Sequence, residues 1–338
     1  MKKTLANWLA LIWLAFFVSA CSQPVETLSL SGHTMGTTYH IKVVPNASLP
    51  KANVLQAEID LALEKVNDQM STYRLDSELS RFNSAGLSEP ITVSADTMTV
   101  INQAIHLYHI TDGALDITLG PLVNLWGFGP DKRPTHIPSK AEIAEAKART
   151  GIEYLRVDGH TLMKEKSDLY VDLSSIAKGF GVDIVAALLA QYHVTGYLVE
   201  VGGELSVFGK KMDGSAWHVA IEQPEMDDRE IQQVIAPGDM AIATSGDYRN
   251  YYEEDGRQFS HLIDPRTGFP INHRLASVTV LHQQSMVADG YATAMMVLGT
   301  QASLALAKRE NLAIMLIEKQ DSGFKVYYSD AFRPFLDE

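Results

Sequence analysis

The 338-residue chain contains one cysteine, Cys21, and has no surplus of basic residues. A single cysteine excludes a disulfide within the chain and a zinc site built from cysteine pairs. The 28 lysines and arginines are outnumbered by 41 acidic residues, which gives a net charge of −13. Because nucleic-acid phosphates are neutralised by basic side chains, we expect no nucleic-acid partner.

Several nucleotide-binding and hydrolase motifs are also missing. No G-x-G-x-x-G stands between a predicted strand and a helix, and no G-x-x-x-x-G-K-[ST] occurs, so the sequence supports neither a Rossmann nor a P-loop class. The chain has neither a G-x-S-x-G nucleophile elbow nor an H-E-x-x-H zinc motif. Without cysteine pairs or a zinc motif, the side chains that could bind a metal ion offer mainly oxygen atoms. Oxygen ligands favour Mg²⁺ if the protein binds a metal.

The N-terminus carries a short apolar run that is too brief for a confident membrane span. Lys2 and Lys3 precede residues 5–18, LANWLALIWLAFFV, which fall short of the ~20 residues that cross a bilayer. The run ends in V-S-A-C, which is similar to a bacterial lipobox. The alternative is that Cys21 is an ordinary buried cysteine, but a residue at the edge of a removed segment has no core in which to be buried. We therefore expect residues 1–20 to be a lipoprotein signal peptide. Lipidated Cys21 would anchor the protein to a bacterial membrane, facing the periplasm.

Hydrophobic periodicity divides the remaining chain into mixed helices and strands. After a tether over 21–32, the predicted elements are a strand at 38–44, helices at 54–70 and 95–113, a helix from the capping box 139–142 to Gly151, a hairpin turning at Asp158-Gly159, a helix at 286–298, and strands at 312–318 and 323–328. Regular βαβ alternation is absent. The pattern therefore predicts an α+β fold, with one domain over residues 33–338.

The helix predicted at 286–298, MVADGYATAMMVL, is apolar over most of its surface but carries an aspartate and a threonine. Residues four apart share a helical face, so Asp289 and Thr293 present two oxygens to one point. Two interpretations fit these residues. They form a ligand pair, or the aspartate favours the helix dipole from the first turn while the threonine packs.

A second informative segment is YVDLSSIAKGF, residues 170–180. It predicts a strand ending near Asp172, an N-cap at Ser174 and a helix from Ser175 onward. Lys178 then falls in the first helical turn, where the dipole disfavours a cation. A phosphate bound beside Lys178 would remove the conflict, and an exposed, solvated lysine is the alternative. Asp172 could accept hydrogen bonds from a ligand base or cap the loop.

Two further segments indicate a pocket. Residues 110–130 hold four glycines and are too apolar for a surface loop, so we expect them to wrap a pocket. Residues 242–271 combine hydroxyl, imidazole and charged side chains, namely Thr244, Ser245, Arg249, His261, Asp264 and Arg266. At a strand end, His261 is a candidate general base, and a hydrogen-bonded core histidine is the alternative.

Eight segments, taken in order, resemble one family, the bacterial FAD:protein FMN transferases, also called ApbE lipoproteins. They are GHTMGTTY (32–39), MSTYRLDSELSRFN (70–83), GALDITLGPLVNLWGFGP (113–130), VDLSSIAKGFGVD (171–183), YLVEVGGEL (197–205), ATSGDYRNYY (243–252), SHLIDPRTGFPI (260–271) and ADGYATAMMVLG (288–299). These segments span nearly all of the mature chain. The family fold, which is α+β and T-fold-like, agrees with the periodicity.

The resemblance implies a role for each matching position. The FAD site would include Met35, Tyr73, Ala114, Leu115, Asp116, Asp172, Lys178 and Ile263. Asp289, Thr293 and Ser175 would hold Mg²⁺, and Ser175 would contribute mainly its backbone carbonyl because family members vary there. His261 or the metal-bound carboxylate of Asp289 would take a proton during catalysis.

The implied reaction moves FMN from FAD to a threonine or serine of another protein, forming a phosphoester bond and releasing AMP. Family acceptors resemble D-[GA]-x-[ST]-[GA]-[AT] and include subunits of Na⁺-translocating quinone reductases and related electron-transfer complexes. The nearest match in this chain, DGYATA (289–294), has Ala292 in place of the hydroxyl residue, so we expect a partner to be modified. A Mg²⁺-dependent FAD pyrophosphatase and a lipid-anchored flavin carrier are the alternatives.

Overall fold

An eight-stranded antiparallel sheet is the largest element of the computed structural model, which describes residues 26–130, 136–224, 230–247, 251–254 and 256–336. In chain order the strands are β1 (Leu28–Thr34), β2 (Thr37–Val43), β3 (Ile91–Thr92), β4 (Leu155–Asp158), β5 (Thr161–Lys164), β6 (Gly196–Val201), β7 (Glu204–Gly209), β8 (Val219–Glu222), β9 (Ile231–Ile235), β10 (Ala241–Gly246), β11 (Tyr251–Glu254), β12 (Arg257–Ser260), β13 (Leu275–His282), β14 (Ala313–Lys319) and β15 (Phe324–Tyr328).

The large sheet has the strand order β1-β2-β6-β7-β10-β13-β14-β15. Three small sheets, β3-β5-β4, β8-β9 and β11-β12, accompany it. The helices are α1 (Ala52–Met70), α2 (Glu78–Ser84), α3 (Ala95–Ile110), α4 (Gly120–Leu125), α5 (Lys140–Lys147), α6 (Ala177–Gln191), α7 (Ser285–Leu298) and α8 (Thr300–Glu310), with short 3-10 turns at Ile152–Tyr154 and Arg333–Phe335. Neighbouring strands are antiparallel throughout, which confirms the α+β prediction.

Both faces of the large sheet are buried. On one face, α1 and α6 pack on β2 and β6, while α7 packs on β10 and β13 and also contacts α6. In β14, Ile314 and Leu316 join the core under α7, whereas Met315 and Ile317 pack on the opposite face with Trp217. Because successive residues of a strand point to opposite faces, a strand buried on both sides reads as a continuous apolar run.

Most of the predicted helices and strands are confirmed with shifted ends. β1 begins at Leu28, inside the segment 21–32 predicted as a tether, because it pairs with β2 along its whole length. The capping box of α5 forms between Ser139 and Glu142, but the helix ends at Lys147, before Gly151. The helix predicted to reach residue 113 ends at Ile110.

Helices α2, α4 and α8 are absent from the prediction. With 7 and 6 residues, α2 and α4 are too short to show a clear apolar stripe, and α8 follows α7 after the single residue Gly299. Within the described residues, no helix is both long enough and apolar enough to span a membrane. The predicted signal peptide and Cys21 lie outside the described residues.

Candidate functional site

A cavity of about 510 Å³ collects most of the residues predicted from the sequence. Its wall includes Ala114, Leu115, Asp116, Asp172, Ser175, Lys178, His261, Ile263, Asp289 and Thr293. These residues come from loops, from the first turn of α6 and from α7, so the fold brings together segments that are far apart in the chain. The apolar run 110–130 lines the cavity through Leu119, Val123 and Phe128, as its composition predicted.

Helix α7 carries Asp289 and Thr293 into this cavity one turn apart. Asp289 is 2% exposed, and its Oδ2 accepts a hydrogen bond of 2.9 Å from the backbone N–H of Gly179. Thr293 Oγ1 lies 3.4 Å from Ser245 Oγ, which also lines the cavity. The pair therefore presents oxygens to one enclosed space.

The N-terminus of α7 argues against the dipole interpretation of Asp289. The helix begins at Ser285, so Asp289 lies beyond the first turn, where the dipole interaction has largely faded. The first turn is capped instead by Asp183 of α6, whose carboxylate accepts the N–H groups of Ser285 at 2.8 Å and Met286 at 2.9 Å. Asp289 is thus not needed as the capping carboxylate.

Close packing of α6 on α7 holds Asp289 in place. A Cβ added to Gly179 would lie 2.4 Å from the carbonyl oxygen of Ser285 and 2.7 Å from Met286 Cα. Only glycine allows the two backbones to approach this closely. The same approach brings the Gly179 N–H within hydrogen-bond distance of Asp289.

The predicted start of α6 is partly wrong. Ser174 is not its N-cap, because the helix begins at Ala177 and the N–H of Ser174 donates to Asp172 Oδ1 at 2.8 Å. The predicted strand at 170–172 is also absent as a ladder strand. Val171 pairs instead with the side chain of Asn83, which donates to its carbonyl and accepts from its N–H, both at 2.8 Å.

Lys178 lies in the first turn of α6, as predicted, but it is not simply solvated. Its Nζ is 2.7 Å from Glu204 Oε1 and 3.6 Å from Asp289 Oδ1. Burial alone would lower the pKa of Lys178, but the charges of Asp289 and Glu204 raise it above its ordinary value. Burial raises the pKa of both carboxyl groups, and Lys178 opposes each shift.

The predicted aspartates of the loops are held by local hydrogen bonds. Asp116 Oδ1 accepts from the N–H of Thr118 at 2.7 Å and from its hydroxyl at 2.6 Å. The N–H of Asp172 donates to the carbonyl of Ile117 at 2.8 Å, which ties the two loops together. Burial raises the pKa of both aspartates. The loops therefore present a fixed wall to the cavity.

Three predicted positions do not line the cavity or are not described. Met35 has a positive φ of 50° in the β1–β2 turn, and its side chain packs near Gly181 of α6. Tyr73 is 68% exposed, with its hydroxyl 3.4 Å from the carbonyl of Phe128, so it lies at the rim beside a lining residue. Cys21 lies outside the described residues.

The oxygen donors of the cavity suit Mg²⁺. In the part of the chain that the structure describes, no three His, Cys, Asp or Glu side chains form a metal cluster. Two buried carboxyl groups, of Asp289 and Glu204, share the single ammonium group of Lys178, and Glu204 Oε2 is buried without a hydrogen-bond partner among the described residues. A divalent cation beside Asp289 would find further oxygen donors in Thr293 and Ser175.

Sequence reasoning missed Glu204 and gave Ser245 no role. Glu204 follows Gly202–Gly203 and opens the strand β7. A glutamate directly after two glycines at the start of an apolar strand is the signal that the sequence offered. In the structure Glu204 is 2% exposed. Its partner, Lys178, lies 26 positions earlier in the chain, so the pairing itself could be found only in the folded structure.

Comparison with known proteins identifies the family of this chain. The model of the ApbE family matches residues 35–316. A protein of Vibrio cholerae serotype O1 named FAD:protein FMN transferase is 52% identical, covering 98% of this chain and 99% of its own length. A protein of the same name from Haemophilus influenzae is 47% identical, covering 100% and 99%.

Solved structures of ApbE flavin transferases have the same fold as this chain. The flavin transferase ApbE from Vibrio cholerae superimposes with a TM-score of 0.87 at 53% identity, covering 93% of this chain and 100% of that chain. The apo form of the Pseudomonas stutzeri flavinyl transferase ApbE gives 0.85 at 40% identity, covering 92% and 97%. On sequence and fold together, the chain belongs to the ApbE family.

Proposed function

We propose that this protein is an FAD:protein FMN transferase that attaches FMN to a hydroxyl group of an acceptor protein. The name of its full-length relatives supports the activity. The observation that carries the proposal is that Asp289, Thr293, Ser175 and Lys178 face one cavity together with the loop 114–116. Oxygen donors and the ammonium group of Lys178 in one cavity suit the pyrophosphate of a dinucleotide and its metal ion, which supports the proposal.

The residues of the cavity have separable tasks. Lys178, at the positive end of α6, would contact the phosphates of FAD, since anions are favoured at helix N-termini. Asp289, Thr293 and the Ser175 carbonyl would hold Mg²⁺, which when bound neutralises pyrophosphate oxygens and stabilises the charge that develops as the phosphoanhydride breaks.

The transfer step needs a nucleophile and a base. The acceptor hydroxyl attacks the FMN-side phosphorus, its proton passes to His261, and AMP departs with the electrons of the broken phosphoanhydride bond. His261 lines the same cavity as Asp289 and stands edge-on to Phe128, with ring centroids 6.2 Å apart. An imidazole is suited to this role near neutral pH.

The acceptor is expected on a partner protein. DGYATA lies within α7, and Ala292, at the position of the hydroxyl residue, is fully buried. We propose partners with a D-[GA]-x-[ST]-[GA]-[AT]-like motif, such as subunits of Na⁺-translocating quinone reductases or related membrane electron-transfer complexes. A lipid anchor on Cys21 facing the periplasm would keep the enzyme at the membrane beside them.

Mass measurement of an acceptor tests the proposal. The full chain, purified in detergent, is incubated with FAD, Mg²⁺ and an acceptor subunit carrying the motif, with the same subunit altered from Thr to Ala in the motif as control. An FMN adduct on the first subunit alone, with matching AMP, supports transfer. Free FMN and AMP without adduct would establish a pyrophosphatase. Intact FAD bound to the protein would establish a flavin carrier.

A further inference from the structure

A buried ionic network joins β7, α6 and α7 at the wall of the cavity. Lys178 Nζ lies between Glu204 Oε1, at 2.7 Å, and Asp289 Oδ1, at 3.6 Å. The side chains of Glu204 and Asp289 are 3% and 2% exposed. Two carboxylates thus compete for one ammonium group where little water can compensate either of them.

The turn before β7 explains why Glu204 makes the shorter contact. Gly202 and Gly203 have positive φ values of 59° and 102°, and Glu204 follows directly. A Cβ on Gly202 would lie 2.8 Å from Thr37 Cγ2 and 3.3 Å from Lys178 Cδ. The glycines therefore let the turn pass close to the lysine stem and bring the Glu204 carboxylate to its end.

The hydrogen bonds of Asp289 leave one of its oxygens weakly occupied. Oδ2 accepts the N–H of Gly179 at 2.9 Å. Oδ1 has Lys178 at 3.6 Å, which is too long for a hydrogen bond. An ammonium group in direct contact with Oδ1 would compete with a metal cation for that oxygen.

We propose that Glu204 is a positioning residue that retains Lys178 and so keeps Asp289 open to the divalent cation. The inference rests on the proposed Mg²⁺ site at Asp289. Without the 2.7 Å contact to Glu204, the nearest carboxyl group to Lys178 among the described residues is that of Asp289, and a direct salt bridge between them would compete with the metal. Glu204 would thus act on the metal through Lys178, without touching it.

Binding of Mn²⁺, followed by the electron paramagnetic resonance of the free ion, tests this without any turnover. The full chain in detergent is titrated in the absence of FAD. Glu204→Gln should raise the Kd for Mn²⁺ about tenfold to a hundredfold, as for groups behind metal ligands. Glu204→Gln/Lys178→Met should return the Kd to within about twofold of the wild type, because the competing ammonium is gone.

Glu200→Gln is the matched control, since it removes the same charge from the same hairpin. Glu200 bonds to Gly203 and His40 rather than to Lys178, so its substitution should leave the Kd unchanged. Circular dichroism checks that each variant folds. If Glu204→Gln does not fold, Glu204→Asp, which keeps the carboxyl group but shortens the side chain, is used in its place.

The outcomes separate this inference from the metal site itself. An unchanged Kd in Glu204→Gln, or a double variant that binds no better than Glu204→Gln, overturns the role of Glu204 while leaving the site intact. A wild type that does not bind Mn²⁺, or that binds it no better than Asp289→Asn, overturns both the metal site and the inference.

Discussion

Replacing Gly179 by alanine should damage catalysis more than stability. The added Cβ would lie 2.4 Å from the carbonyl oxygen of Ser285, 2.6 Å from its carbonyl carbon and 2.7 Å from Met286 Cα. All three atoms belong to the backbone of α7, so no side chain can rotate away. The helices must separate by about 1 Å to restore ordinary contact.

The two consequences of this separation differ in size. Overpacking of a core contact costs about 1–3 kcal/mol, and the greater helix propensity of alanine returns about 1 kcal/mol of it. Stability therefore falls by at most a few kcal/mol. A displacement of ~1 Å in the catalytic groups costs about 10²-fold in rate, and Gly179 holds Asp289 directly through its N–H.

The measurements are kcat for FMN transfer and the thermal midpoint of unfolding. Gly181→Ala is the control in the same helix, because its Cβ would meet the flexible end of Met35 at 2.9 Å rather than backbone. We expect Gly179→Ala to lose about 10²-fold in kcat with a midpoint only a few degrees lower, and Gly181→Ala to lose far less. Equal activity in the two variants would refute the argument from helix approach.

Three further variants test the remaining assignments. Asp289→Asn should keep the fold, because its amide oxygen can still accept from the N–H of Gly179. It should nevertheless lose most FMN transfer, with partial rescue by Mn²⁺. Undiminished transfer, or a wild-type enzyme that is not inhibited by EDTA, would contradict the metal assignment. Lys178→Ala should weaken FAD binding more than riboflavin binding in calorimetric titrations, because only FAD carries a pyrophosphate; equal losses would make Lys178 structural. Cys21→Ser should prevent lipidation and membrane partitioning in cell fractionation, and an unlipidated wild-type protein in the soluble fraction would refute the anchor.

Local sequence patterns predicted the longer elements of this fold well. In α1, four members of the predicted apolar stripe, Leu55, Ile59, Val66 and Met70, are buried, while the fifth, Ala62, is half-buried. The capping box of Ser139 forms as expected. The hairpin predicted to turn at Asp158-Gly159 turns one residue later, because Asp158 still pairs with Thr161. These signals depend on residues close in the chain, so they survive without knowledge of tertiary packing.

Contacts between residues that are distant in the chain could not be predicted from the sequence. The extended segment at Val171 pairs with the Asn83 side chain rather than with a strand, and no local pattern encodes such a partner. The unfavourable position of a cation in a first helical turn is a local feature, so the sequence indicated that Lys178 needs a partner. That partner, Glu204, is distant in the chain, so the sequence did not identify it. The family resemblance implied which residues bind the ligands. It gave no role to Glu204, although this residue lies in the matching segment 197–205, and its contact with Lys178 was found only in the structure.

The ionic network at α7 is best understood through what it costs. Burying carboxylates is expensive, and replacing buried ionic groups by apolar ones is often neutral or stabilising. Asp289 is not required as a helix cap, because Asp183 already accepts the first N–H groups of α7. Asp289 and Glu204 are two buried carboxyl groups that share one ammonium group, and burial raises the pKa of both. A purely structural role would favour apolar packing here, whereas a site that binds a cation needs carboxyl groups in this position. The cost of burying these groups is therefore itself the argument for a ligand.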